Sequence, residues 1–270
     1  MPTNPSFEDS PDYVQSLARG LSVLRAFGRD QPRASLSIVA ERTGLSRAVA
    51  RRNLLTLQHL GYVDLHGRSF FLTPRVLELG YSYLSSLDLT EVAQQTMEQL
   101  AQRVGESCSM AVLDGSDIVY VMRVPVRRIM STALSVGARL PAFAASMGRV
   151  MLADMPEADL ATWLRANTFR AFTPHTIHKP TLLKAEIEKV RKQGYAMVSR
   201  ELELGLCSIA VPIRTAHARV IAGLNIGMQY SEGAHEIALK KMLPALRNAQ
   251  QAIELAIAHG SRHLFGNAKR

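Results

Sequence analysis

The chain has 270 residues, of which 47% are hydrophobic and 20% charged, enough apolar content for one or two domains with cores of their own. Its 32 Lys and Arg against 23 Asp and Glu leave a formal charge of +9, which favours an anionic partner. Cys108 and Cys207 lie 99 positions apart, which argues against a disulfide framework or a zinc finger, and no run of about 18 apolar residues offers a membrane span.

The first 15 residues hold three acids and no base, and residues 1–10 have neither a basic nor an apolar stretch. A disordered tail is therefore expected, with no signal peptide, and a cytoplasmic protein fits. From residue 16 to 75 the charge reverses, to ten Arg, no Lys and three acids (Asp30, Glu41 and Asp64). This segment holds the main motif. Leu17, Leu21, Leu24 and Phe27 recur at helical spacing, and Gly28 closes that first helix. After a loop at 31–34, residues 37–43 read as a short amphipathic helix, with Ile38, Val39 and Leu45 available for a core. Gly44 stands where a tight turn between helices needs positive φ, and Ser46 stands where an N-cap belongs. A second helix over 47–60 ends at Gly61, and residues 62–65, 66–68 and 69–72 then read as strand, turn and strand, a wing.

In such a winged helix-turn-helix the second helix enters the DNA major groove N-terminus first. That places Ser46, Arg47, Arg51 and Arg52 at the nucleic acid, with Arg68 on the wing and Arg19 on the first helix as further contacts. Arginine suits this work because its planar fork pairs bidentately with phosphates and guanine edges. A solvated basic helix face is the plainer reading of the arginines. It does not account for the turn, cap and wing around them.

Thr73 and Pro74 then open a helix to about residue 86 that connects two domains, and Asp88 caps another over 89–104. Residues 107–113 and 118–124 flank Asp114-Gly-Ser-Asp117 as a β-hairpin. A third strand is expected over 128–136, helices over 146–155, 156–166 and 180–194, and strands over 195–199, 208–213 and 220–228. A long helix over 235–259 precedes a polar, basic tail. This irregular alternation predicts an α+β fold with a mainly antiparallel sheet. The expected division is a tail at 1–15, the winged helix-turn-helix at 16–73, a linker helix at 74–88, an effector-binding domain at 89–260 and a tail at 261–270.

Five stretches carry a resemblance. They are Ser16-Leu-Ala-Arg-Gly-Leu-Ser-Val-Leu24, Gly44-Leu-Ser-Arg-Ala-Val-Ala-Arg-Arg52, Val124-Pro-Val-Arg-Arg-Ile-Met130, Arg139-Leu-Pro-Ala-Phe-Ala-Ala-Ser-Met-Gly-Arg-Val-Met-Leu152 and Glu201-Leu-Glu-Leu-Gly-Leu-Cys-Ser-Ile-Ala-Val-Pro212. In this order, over about residues 16–259, the chain resembles the IclR family of bacterial transcription regulators. The last three stretches look closest to the branch that controls aromatic-acid catabolism through the β-ketoadipate pathway. The resemblance implies a GAF-like or profilin-like α+β effector domain, a homodimer or dimer of dimers, and palindromic or repeated promoter DNA. It implies an effector of the protocatechuate, 4-hydroxybenzoate or β-ketoadipate type and no cofactor. Cys207 departs from the motif, which would carry Arg there. The alternative within the family is a regulator of another carbon-source pathway that answers to a non-aromatic keto or dicarboxylic acid.

Ser146, Met147 and Gly148 open a helix, whose first unpaired N–H groups favour a carboxylate. Ser146 caps or donates there, Met147 offers a plastic apolar wall, and Gly148 admits a ligand to the backbone. Matching the family motif residue by residue puts Ser208 and Asn225 across the pocket on adjacent strands. An inward Asn needs a partner, which a ligand supplies; a solvent-facing edge strand is the alternative. Arg123 and Arg139 suit a second carboxylate, or equally a surface ion pair. The rival classes are weaker. Cys108, Cys207 and eight His form no nucleophile–base pattern, so no enzyme and no catalytic residue is expected. His175-Thr-Ile-His178 lacks a third ligand nearby, so no metal is expected. A purely architectural DNA binder would have no use for the sizeable second domain.

Overall fold

A computed structural model of the chain describes residues 7–28, 30–86, 88–126, 134–215 and 217–265. The chain divides into two compact units, residues 1–86 and 87–270.

In the first unit, α1 (Gln15–Arg25), α2 (Leu36–Thr43) and α3 (Arg47–His59) pack around Val23, Val39, Ala50, Leu54 and Val63, with the wing strands β2 (Val63–His66) and β3 (Ser69–Leu72) beside them. Local chemistry sets these bounds. The Ser35 hydroxyl accepts the Ile38 N–H, so α2 starts at Leu36. Gly44 ends α2 at φ 66°, and the Ser46 hydroxyl accepts the Val49 N–H at 3.3 Å to open α3. The expected loop at 31–34 differs. Residues Arg33–Ser35 form a strand, β1, that pairs with β3 in the order β1-β3-β2. Ala34 lies opposite Phe70 and both are buried, so core packing draws that stretch into the sheet. The spacing on α1 also needs correction, because Val23 is its buried residue while Leu17 and Leu21 are 62% and 42% exposed.

The Thr73 hydroxyl donates to the Gly61 carbonyl and accepts the Arg75 N–H, closing the wing onto the end of α3. Pro74–Val76 is a 3-10 turn before α4 (Leu77–Ser86), so the predicted helix starts with a tighter turn. Within the stretch expected as a tail, Phe7–Asp9 is also a 3-10 turn, and the Phe7 and Tyr13 rings meet edge-on at 5.9 Å.

The second unit is a six-stranded sheet between two helical layers. Its strands are β4 (Ser107–Asp114), β5 (Asp117–Val124), β6 (Arg139–Pro141), β7 (Ala196–Ser199), β8 (Leu206–Arg214) and β9 (Val220–Gln229). They are ordered β6-β5-β4-β9-β8-β7, with every neighbouring pair antiparallel. One face carries α5 (Asp88–Val104) and α10 (Leu243–Phe265). The other carries α6 (Ser146–Leu152), backed by α8 (Pro180–Gln193), with α7 (Glu157–Ala166) contributing Leu160 and Leu164 to the same core. The expected α+β class and antiparallel sheet are those observed.

Three boundaries differ. Much of the strand expected over 128–136 lies outside the described residues; Ser135–Ala138 is a tight turn, and the third strand is β6, held to β5. The helix expected to reach 155 stops at Leu152. The terminal helix begins as α9 (Ala234–Ile237), widens into a π turn over Ala238–Met242 and continues as α10 to Phe265, past the expected start of the tail. Pro244 offers no N–H and its ring crowds the preceding turn, which the wider π geometry accommodates. Among the described residues no helix is long and apolar enough to cross a membrane.

Candidate functional site

Two sites were expected, one in each unit. On α3 the apolar side, Ala50, Leu54 and Leu57, is buried, which turns Arg47, Arg51 and Arg52 outward. Arg68 is exposed on the wing beside Gly67, Ser46 is exposed with its hydroxyl used by the cap, and Arg19 is half-buried on α1. Among the described residues no carboxylate pairs with the guanidinium of Arg47, Arg51, Arg52 or Arg68, whereas Arg42 is held by Asp30 at 2.9 Å. The first four therefore keep their donors available for phosphates or base edges.

The second unit holds a cavity of about 1080 Å³ between the sheet, the start of α6 and the loop that enters β8. Its floor is a row of polar residues across three strands. Ser109 on β4 lies opposite both Arg123 on β5 and Asn225 on β9. Arg123 Nη1 donates to Ser109 Oγ at 3.2 Å. Ser208 continues the floor on β8, and its hydroxyl donates to Ser146 Oγ at 2.9 Å, joining floor to helix. Tyr120 and Arg123, three residues apart, would face opposite ways on a regular strand. A bulge against Met110/Ala111 places Tyr120 opposite Ala111 and Arg123 opposite Ser109, so both reach the cavity. Burial pushes the Tyr120 phenol up to about 12, with Arg123 opposing, so the hydroxyl remains a donor at neutral pH.

Ser146, Met147, Ser208, Asn225 and Arg123 thus line one cavity. Asn225 is 8% exposed on an interior strand, and its Oδ1 has no hydrogen-bond partner among the described residues. The solvent-facing edge alternative does not hold. Ser146 is not the cap of α6, since Ala145 occupies that position and the Ser146 hydroxyl is used by Ser208. Two expected residues stand outside the lining. A Cβ on Gly148 would lie 2.1 Å from the Ala142 carbonyl oxygen, so this glycine serves close packing of α6 on the preceding turn. Arg139 pairs with Asp114 at 2.7 Å and Asp117 at 3.2 Å on the hairpin surface, and those acids raise its pKa.

Cys207 points away from the cavity, as strand alternation from Ser208 requires, and its thiol is buried and shifted up by desolvation. The Cys108 thiol donates to the Met97 carbonyl, and burial pushes it up to about 12. His178 Nδ1 sits 3.0 Å from the Thr176 carbonyl, and among the described residues no group of three metal-ligating side chains forms. Sequence reasoning missed Ser109, Tyr120 and the rim residues Leu202, Glu203, Gly205 and Leu206. Ser109 was within reach, as the polar member alternating with Cys108 and Met110.

A winged helix-turn-helix with an exposed arginine face, followed by a unit with a polar-floored cavity, defines a transcription regulator with a small-molecule domain. Residues 16–66 match the IclR helix-turn-helix domain, and residues 81–255 match the bacterial transcriptional regulator IclR C-terminal domain. The chain belongs to the IclR family. It is 41% identical to the Pca regulon regulatory protein of Pseudomonas putida, over 91% of this chain and 85% of that one. It is 38% identical to the p-hydroxybenzoate hydroxylase transcriptional activator of Acinetobacter baylyi, over 88% of this chain and 89% of that one. A crystal structure of an IclR homologue complexed with 4-hydroxybenzoate, from Microbacterium hydrocarbonoxydans, superposes with a TM-score of 0.79 at 26% identity, covering 90% of this chain and 98% of that one.

Proposed function

We propose that this chain is a DNA-binding regulator of aromatic-acid catabolism genes, controlled by a small carboxylate bound in the cavity of its second unit. The carrying observation is the Arg123–Ser109–Asn225 row, which sets one half-buried cation beside buried neutral hydrogen-bonding groups. A ring acid with a hydroxyl matches that chemistry, and the names of the two relatives and the 4-hydroxybenzoate complex support the same class. Arg123, Ser146, Met147, Ser208 and Asn225 form the effector set; Gly148 and Arg139 are left out of it. Ser46, Arg47, Arg51, Arg52 and Arg68 contact DNA, with Arg19 behind them.

Residues 16–73 act as the DNA-binding domain, 74–88 as the linker helix and 89–260 as the effector domain of a cytoplasmic protein. The exposed Leu17 and Leu21 on α1 and Leu77 and Tyr81 on α4 support a homodimer or dimer of dimers on a palindromic or repeated site. The effector acts by binding one arrangement of the protein more tightly than another, since differential affinity alone can shift such an equilibrium.

Thermal unfolding with protocatechuate, 4-hydroxybenzoate, β-ketoadipate and simple keto acids tests this. A saturable rise in Tm with one of the first three, lost in Arg123→Met, is expected. A rise with simple keto acids alone would transfer the protein to another carbon-source pathway.

A further inference from the structure

Beside the cavity, and not lining it, is a buried ion pair. Arg149 lies on α6 three residues after Ser146, and Glu201 lies in the loop between β7 and β8. Their side chains are 1% and 6% exposed. The contact is bidentate, with Arg149 Nη1 donating to Glu201 Oε1 at 2.8 Å and Nη2 to Oε2 at 2.7 Å. Each partner holds a further segment. Arg149 Nε donates to the Phe143 carbonyl at 2.8 Å, in the turn that leads into α6. Glu201 Oε2 also accepts the Ile177 N–H at 2.9 Å, and the Glu201 carbonyl accepts the Thr176 hydroxyl at 2.6 Å.

The residues next to each partner are cavity walls. Ser146 and Met147 lie on the Arg149 side, and Leu202, Glu203, Gly205 and Leu206 on the Glu201 side. The rim is a short closed loop, with Arg200 N–H donating to the Leu206 carbonyl at 2.7 Å and Leu206 N–H to the Glu203 carbonyl at 3.1 Å. Arg200, at its root, has φ 63°, a left-handed conformation that a non-glycine residue keeps only where its surroundings impose it. Thr173 Oγ1 donates to the Arg200 carbonyl at 2.6 Å, next to the buried carboxylate. A buried ion pair is seldom the most stable way to fill a core, since apolar side chains of similar volume usually do as well or better. What the pair supplies and apolar side chains do not is a fixed direction and distance between the two backbones that carry it.

We infer that Arg149 and Glu201 are positioning residues for effector binding: their ion pair sets the spacing between the α6 wall and the Leu202–Leu206 rim, and through it the affinity of the cavity. The inference rests on the reading that this cavity takes a small organic acid. Neither side chain touches the ligand.

The test compares the full-length protein with Arg149→Met/Glu201→Leu, which removes both charges at similar volume, and with Arg149→Lys, which keeps the charge and loses the fork. Three readouts are taken: Tm, affinity for 4-hydroxybenzoate, and amide hydrogen exchange of residues 202–206 without ligand. The double variant also leaves the Phe143 carbonyl and the Ile177 N–H without these partners, so Tm is expected to fall by about 5–10 °C; well below that melt it should bind 4-hydroxybenzoate roughly tenfold more weakly and exchange faster across the rim. A purely structural pair would lower Tm alone, with affinity and rim exchange unchanged below the melt, and that result overturns the inference. Should the double variant not fold, Arg149→Lys decides by the same two readouts. If the wild type binds no acid, the proposed function fails, and rim exchange alone decides: faster exchange retains the clamp and unchanged exchange removes it.

Discussion

Replacing Gly148 with alanine tests how tightly α6 is drawn onto its own entry turn. The added Cβ would lie 2.1 Å from the Ala142 oxygen, 2.5 Å from its Cα and 2.6 Å from its carbonyl carbon, all backbone atoms that cannot rotate away. Ordinary contact begins at 3.4 Å, so the turn must retreat by about 1.3 Å. The same movement stretches the 2.8 Å hydrogen bond from Arg149 Nε to the Phe143 carbonyl beyond bonding range. Overpacking costs about 1–3 kcal/mol, and losing a hydrogen bond from a charged donor adds about 1.5–3 kcal/mol, so about 4 kcal/mol is expected. For a unit of this size that corresponds to a Tm lowered by about 10 °C. Thermal unfolding followed by circular dichroism measures it, with Gly205→Ala as the control, because a Cβ there meets nothing within 4 Å. Should Gly148→Ala melt within about 2 °C of the wild type, the close-packing argument fails.

Three further outcomes follow from the same geometry. Ser46→Ala removes the acceptor for the Val49 N–H and should destabilise the first unit by about 1 kcal/mol, visible as an earlier melt of its helices; an unchanged melt would show that the cap contributes nothing. Arg51→Ala and Arg52→Ala should each weaken promoter binding and lower the slope of log affinity against log salt by about 0.9 for every phosphate left without its arginine, with effector affinity unchanged. A normal salt slope in both would remove α3 from the DNA interface. For Cys108, the folded thiol titrates at about 12 against 9.0 for a free one, so between those values the native state holds a proton that the unfolded chain releases. Stability should therefore fall as pH rises through that window, and Cys108→Ala should flatten the fall; an unaltered pH profile in that variant would refute the assignment.

The parts legible in the sequence are those that a few neighbouring residues determine. Gly44 and Ser46 set the turn and the start of α3 by local rules, and the wing turn at Gly67 and the hairpin at Gly115 are equally local. β1 was not legible, because Arg33–Ser35 is a strand only through its pairing with β3, more than thirty residues on. Nor was the bulge in β5, since the run from Ile118 to Val124 reads as an uninterrupted strand and gives no sign that Tyr120 and Arg123 share a face. Gly148 was misjudged for a related reason. Its requirement comes from the Ala142 backbone, and a glycine alone does not say whether a ligand or a neighbouring chain segment must come close. On α1, spacing marked Leu17 and Leu21 as one apolar face but not whether this chain's own core covers it, and it does not.

Ser109, Asn225 and Ser208 of the cavity floor stand on β4, β9 and β8 where each strand is paired on both sides, whereas Arg123 lies on β5 beyond its pairing with β6. The backbone under those hydroxyls and that amide is therefore held in place before any ligand arrives, and little of the binding free energy is spent on ordering it. Such strands open only with global unfolding, whereas loops open locally and far more often. Changes of ligand preference during divergence can then arise by exchanging single side chains on a standing platform, because a residue swapped on the cavity face of one strand leaves the ladder of backbone bonds intact.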